Sequence, residues 1–156
     1  MPAYHTMIGH AHLKVRDLAR SVAFYTRFFD LKITEEVPGA FAFLSGGPLH
    51  HELALQEVGP TAPLPHPHGV GLYHVAFEVP DKRSFADAYN TITKAGVPVA
   101  AVDHGISWAI YLSDPDGNGL EIYWDTRREP GGEKLWRGRN LPLPAEKILA
   151  ALKETT

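Results

Sequence analysis

At 156 residues, 44% of them apolar, the chain can build one compact domain or two small modules sharing a core, and wholesale disorder is not expected. Its 15 Lys and Arg against 18 Asp and Glu give a net charge of −3 with neither sign gathered into a block, which argues against an electrostatic nucleic-acid binder. No stretch approaches a membrane span, residues 1–5 hold no apolar signal core, and the lack of cysteine removes disulfides, thiolate ligands and a cysteine nucleophile. A cytoplasmic protein is the expectation.

In chain order, the first element is a strand led by His10, with Ala11, Leu13 and Val15 alternating against His12 and Lys14. Asp17 sits at an N-cap position, and Leu18, Val22, Tyr25 and Phe28 recur at helical spacing behind it. Short strand-like runs follow at residues 32–34, 40–44 and 52–55. A Pro-rich segment, residues 59–70, has no period and reads as a linker or flap. The pattern then starts again. His74 leads an alternating strand with Val75, Phe77 and Val79 on one parity, and Asp81 caps a helix marked by Phe85, Ala88, Tyr89 and Ile92. Gly96 supplies a left-handed stop, and strands are expected at 97–99, 107–112 and 120–124. Beyond them lies an extension, residues 127–156, polar at first and closing in a short helix over 144–152 with Pro144 in its first turn.

The second half therefore repeats the first. His10 and His74, each seven residues ahead of an Asp, are offset by 64, and Glu52 and Glu121 form a further pair at an offset of 69. Two βαβββ modules are predicted, residues 5–58 and 71–126, in an α+β fold. Strand parity adds the chemistry. The apolar neighbours of His10, His74 and Glu121 take the helix side of each strand, so these three project from the other face, together with Tyr111. Two imidazoles and one carboxylate from separate strands suit non-haem Fe(II) and other octahedral divalent ions. The same parity puts Glu52 on that face and His51 on the opposite one, so His51 reaches the site only through a local bulge.

These repeats, with the turn Asp114-Pro115-Asp116-Gly117-Asn118 ahead of Glu121, resemble the vicinal oxygen chelate superfamily over about residues 5–126. That superfamily includes glyoxalase I, extradiol catechol dioxygenases, and fosfomycin and bleomycin resistance proteins. The resemblance implies an open eight-stranded barrel-like sheet, metal ligation by His10, His74 and Glu121, and a homodimer. Three readings follow. The leading one is an extradiol dioxygenase using Fe(II) on a small aromatic substrate, with His51 as acid/base group and Tyr111 in contact with substrate. Asp103-His104-Gly105 falls near further active-site His and Asp residues of that branch. The second is a glyoxalase-like lyase or an isomerase/epimerase, with Glu52 as a fourth ligand or substrate contact and Ni, Zn or Mn in place of iron. The third is a non-catalytic drug-binding protein. Ala54, Ala76, Ala109 and Phe43 are the candidate apolar lining.

Overall fold

The computed structural model describes residues 4–154, so the first three positions of the N-terminal segment and the last two of the extension lie outside it. The predicted order is found twice. The first module comprises β1 (Ala11–Val15), α1 (Leu18–Phe29), β2 (Lys32–Val37), β3 (Phe41–Ser45) and β4 (Leu53–Glu57). The second comprises β5 (Val75–Val79), α2 (Lys82–Lys94), β6 (Ala100–Asp103), β7 (Ser107–Ser113) and β8 (Gly119–Asp125). The extension adds a 3-10 turn at Thr126–Arg128, β9 (Leu141–Pro142) and α3 (Ala145–Ala150). Among the described residues no helix is long and apolar enough to cross a membrane.

The α+β fold is open as expected, its strands forming one four-stranded sheet in each module, β1-β4-β3-β2 and β5-β8-β7-β6, the second extended by β9. The ninth strand comes from the extension, where Leu141 and Pro142 pair with Asp103 and Val102. The chain divides into two compact units. The first runs to Gly69 and includes the turn Asp114–Asn118; the second takes Val70–Ser113 and everything from Gly119 onward.

Both helices begin as expected. Asp17 accepts from Arg20 N at 2.8 Å and Asp81 from Ser84 N at 2.7 Å. Gly96 (φ 78°) ends α2, with Gly96 N bonding Thr93 O and Val97 N bonding Ile92 O, the paired reversal that lets a helix stop without stranded carbonyls. This stop displaces one predicted strand. Val97 is consumed by the helix end and Pro98 has no amide hydrogen for a ladder, so β6 starts at Ala100 instead of 97.

In α1 the buried face is Leu18, Ser21, Phe24 and Tyr25, rotated from the predicted stripe, with Val22 and Phe28 only half-buried. The cause is polar. Tyr25 Oη donates to Asp114 Oδ2 at 2.9 Å, while Asp116 accepts from Arg16 N (3.0 Å) and pairs with Arg20 (2.6 Å). Two buried carboxylates in that turn thus select which side of α1 faces inward. In the second unit Trp108 and Trp124 pack edge to face, 5.4 Å apart, as core residues.

Candidate functional site

In the second unit, the antiparallel ladder of β7 and β8 sets Tyr111 directly opposite Glu121, and the parallel ladder of β5 and β8 sets Ala76 on its other side. His74 immediately precedes β5. Its Nε2 lies 2.9 Å from Glu121 Oε2, and the two side chains are 26% and 11% exposed. Tyr111 Oη is 3.2 Å from Glu121 Oε1, with its ring 5.6 Å from that of His74. Burial, and then the Glu121 carboxylate, hold the Tyr111 phenol protonated well above its ordinary range. Three of the predicted residues, His74, Tyr111 and Glu121, are thereby assembled within one unit.

His104, which the resemblance sets only near further active-site residues of the extradiol branch, joins this cluster. Its Nε2 is 2.8 Å from Tyr111 Oη and its Nδ1 is 3.1 Å from Arg139 O. Strand periodicity could not place its side chain, because His104 lies just past the end of β6 and bonds through its backbone to Ser107 O.

His10 belongs to the first unit, where its ring lies 4.5 Å from that of His51. His51 also meets Phe43 at 5.0 Å and shares a 2.9 Å Nδ1···Nδ1 contact with His50. Parity had turned His51 away from His10. It fails here because residues 51 and 52 precede β4, so strand alternation does not govern them. Partial burial, then the neighbouring His10, His50 and His12 imidazoles, hold the His51 pKa below the usual histidine value.

Glu52 turns to another task. Its Oε2 accepts from Gly46 N at 2.8 Å and Ser45 Oγ at 2.9 Å, tying together the connection between β3 and β4. The ladders also correct its pairing with Glu121. Under the 64-residue offset, Ala11 matches Val75, and their partners are Leu53 and Leu120. One rung further, His12 faces Ala54 where Ala76 faces Glu121. Ala54 is the counterpart of Glu121, and Phe43, opposite Ala54, is the counterpart of Tyr111. A two-residue slip leaves strand parity unchanged, so the linear pattern could not reveal it.

Among the described residues no group of three or more His, Asp or Glu side chains is gathered closely enough to hold a metal ion. The His74–Glu121 pair nevertheless fits one in kind. An imidazole nitrogen and a carboxylate oxygen point at one another, and His74 Nδ1 is buried without a partner. A histidine kept for packing alone normally has both nitrogens satisfied.

The glyoxalase/bleomycin resistance protein/dioxygenase superfamily model matches residues 7–122. The chain belongs to this superfamily. It is 36% identical over 124 residues to the catechol-2,3-dioxygenase of Bacillus subtilis (strain 168), covering 79% of this chain and 43% of that protein. It is 32% identical over 125 residues to biphenyl-2,3-diol 1,2-dioxygenase 3 of Rhodococcus globerulus, covering 79% of this chain and 65% of that protein. The chain thus spans less than two thirds of either relative. A crystal structure of a superfamily domain from Frankia sp. EAN1pec superimposes with a TM-score of 0.64 at 26% identity, over 78% of this chain and 99% of that one. Superfamily membership accounts for the duplicated βαβββ order.

Proposed function

We propose that this chain is an extradiol-type dioxygenase that opens the ring of a small aromatic diol, using Fe(II) held by His10, His74 and Glu121. The observation that carries the reading is the second unit's cluster, in which an imidazole, a carboxylate and a phenol converge within hydrogen-bonding distances. Two histidines and one carboxylate suit non-haem Fe(II), leaving positions for two reactants. His10 enters the ligand set as the repeat counterpart of His74. The two relatives named as ring-diol dioxygenases support the reaction class.

When bound, the ion supplies Lewis acidity toward a substrate hydroxyl and the redox chemistry that dioxygen requires. The protein's own groups do the rest. Tyr111, held protonated, stands beside the Glu121 carboxylate where a substrate hydroxyl would be recognised. His51 takes the acid/base role: with its Nδ1 engaged by His50, its Nε2 is the nitrogen left to exchange a proton. The glyoxalase-like reading depends on Glu52, and the turn already occupies that carboxylate.

The test is metal analysis of the purified protein, followed by a catechol assay under Fe(II) and dioxygen. Iron together with a yellow ring-opened product is the expected result. Nickel or zinc, with turnover of a hemithioacetal and none of catechol, overturns it.

A further inference from the structure

We infer that Gly119, the first residue of β8, is a positioning residue for His74: having no side chain, it lets the Tyr73–His74 backbone cross close over it, which aims the His74 imidazole at Glu121. The inference rests on the reading above only in taking His74 as a ligand.

Parallel pairing sets Val75 beside Leu120 and Ala76 beside Glu121, so one step back along the same ladder brings His74 beside Gly119. Strand alternation puts the missing side chain of Gly119 on the face that carries Glu121. Neighbouring strands run about 4.8 Å apart. A Cβ built on Gly119 would nevertheless lie 3.4 Å from His74 Cα and 2.1 Å from Tyr73 O. The chain ahead of β5 has thus left the plane of the ladder and folded over β8. No side chain fits beneath it, and the obstacle is a main-chain oxygen, which cannot swing aside as a rotamer does. Because the Tyr73–His74 peptide is planar, pushing that oxygen away carries His74 Cα with it. The cost falls on the 2.9 Å contact between His74 Nε2 and Glu121 Oε2. Space is the whole reason for the glycine, since Gly119 is not among those with a left-handed φ.

The first module shows the alternative. Under the register that matches Leu53 with Leu120, the counterpart of Gly119 is Glu52, and the counterpart of Tyr73 is Gly9. A side chain is present there, and it fills its place with bonds to Gly46 N and Ser45 Oγ. The leading segment is not pressed against it: a Cβ on Gly9 would meet nothing within 4 Å. His10 accordingly turns to His51, the residue ahead of Glu52, with the rings 4.5 Å apart. Two copies of one scaffold thus differ at this rung in a glycine, a backbone crossing and the direction of the leading histidine.

The test uses the full chain, with Gly132 as the control. A Cβ on Gly132 would lie 2.0 Å from Thr126 O, an equally tight main-chain approach within the extension. In the metal-free native protein, nuclear Overhauser contacts are expected between Gly119 Hα and His74 Hα, and between the His74 and Tyr111 rings. Gly119→Ala should lose the ring contact and weaken Fe(II) binding about 10–100-fold in anaerobic titration calorimetry. Gly132→Ala should lower Tm by a similar amount while keeping both the ring contact and the Fe(II) affinity. The inference is overturned by an absent native Hα contact, or by a Gly119→Ala protein with native Fe(II) affinity or an unchanged ring contact. An equal loss of affinity in Gly132→Ala overturns it too. Should Gly119→Ala fail to fold, the native Hα contact decides alone. If the native protein binds no Fe(II), the proposed metal site fails while the ring contact still decides this point.

Discussion

Across the first sheet one row of side chains reads His12, Ala54, Phe43; the equivalent row of the second reads Ala76, Glu121, Tyr111. Backbone and register are shared, and chemistry is divided. The second module holds the carboxylate and phenol, and the extension adds His104's partners. The first holds a histidine cluster, with His10 against His51, backed by the aromatic Phe43. Duplication thus supplied one scaffold twice, and a single substitution per rung decided which copy carries charge. Repeat-equivalent residues need not have equivalent roles, and the ladder rather than the linear pattern says which residues are equivalent.

The largest expected effect comes from the rung that differs most. Glu121→Ala should empty the protein of its ion and lower ring cleavage by about 10³-fold or more, measured by metal analysis and steady-state kinetics. The reverse exchange, Ala54→Glu, puts a carboxylate at a site only 1% exposed. It should cost about 1–3 kcal/mol in urea denaturation. Retained ion in the first variant would break the proposed division of labour.

Next comes the turn around Glu52. Glu52→Ala should destabilise the protein by about 1–2 kcal/mol through two lost hydrogen bonds, with bound ion unchanged. Loss of the ion would restore Glu52 as a ligand. Tyr25 and Tyr89, equivalent under the 64-residue offset, sharpen the comparison further. Tyr25→Phe removes one donor from the buried Asp114 carboxylate, which keeps Asp116 N and Asn118, and should cost about 1 kcal/mol, whereas half-buried Tyr89 should tolerate Phe within about 0.5 kcal/mol.

The smallest effect lies where the modules end. The first runs into its linker through Val58, while the second turns at Asp125, whose carboxylate caps the 3-10 turn and pairs with Arg127. Hydrogen bonding to Arg127 lowers the Asp125 pKa from 3.8 to about 2. A folded-state pKa below the unfolded one stabilises the protein fully above 3.8 and is lost as pH falls toward 2. Asp125→Asn should therefore flatten the acid limb of the stability curve in that window, as read from thermal melts.

Much of this was legible in advance. His10 and His74, each followed by a capping Asp, announced the repeat, and both caps and the Gly96 stop are formed as read. The misreadings share a cause. His51 and Glu52 lie outside a strand, Val97 belongs to a helix end, and the Glu52–Glu121 pairing preserved parity while missing the register. His104 and Arg139 are joined across 35 residues by a side chain and a main-chain carbonyl, a contact that leaves no periodic trace.

From the sequence alone came the duplicated order of elements, the superfamily and the residue types fit for an ion, because periodicity and capping are local properties of the chain. Tertiary structure decided which copy bears the carboxylate opposite a tyrosine, where Glu52 spends its oxygens, and that the tail reaches the working cluster. Those outcomes depend on ladder register and on hydrogen-bond geometry between distant segments, which emerge only when the strands pair.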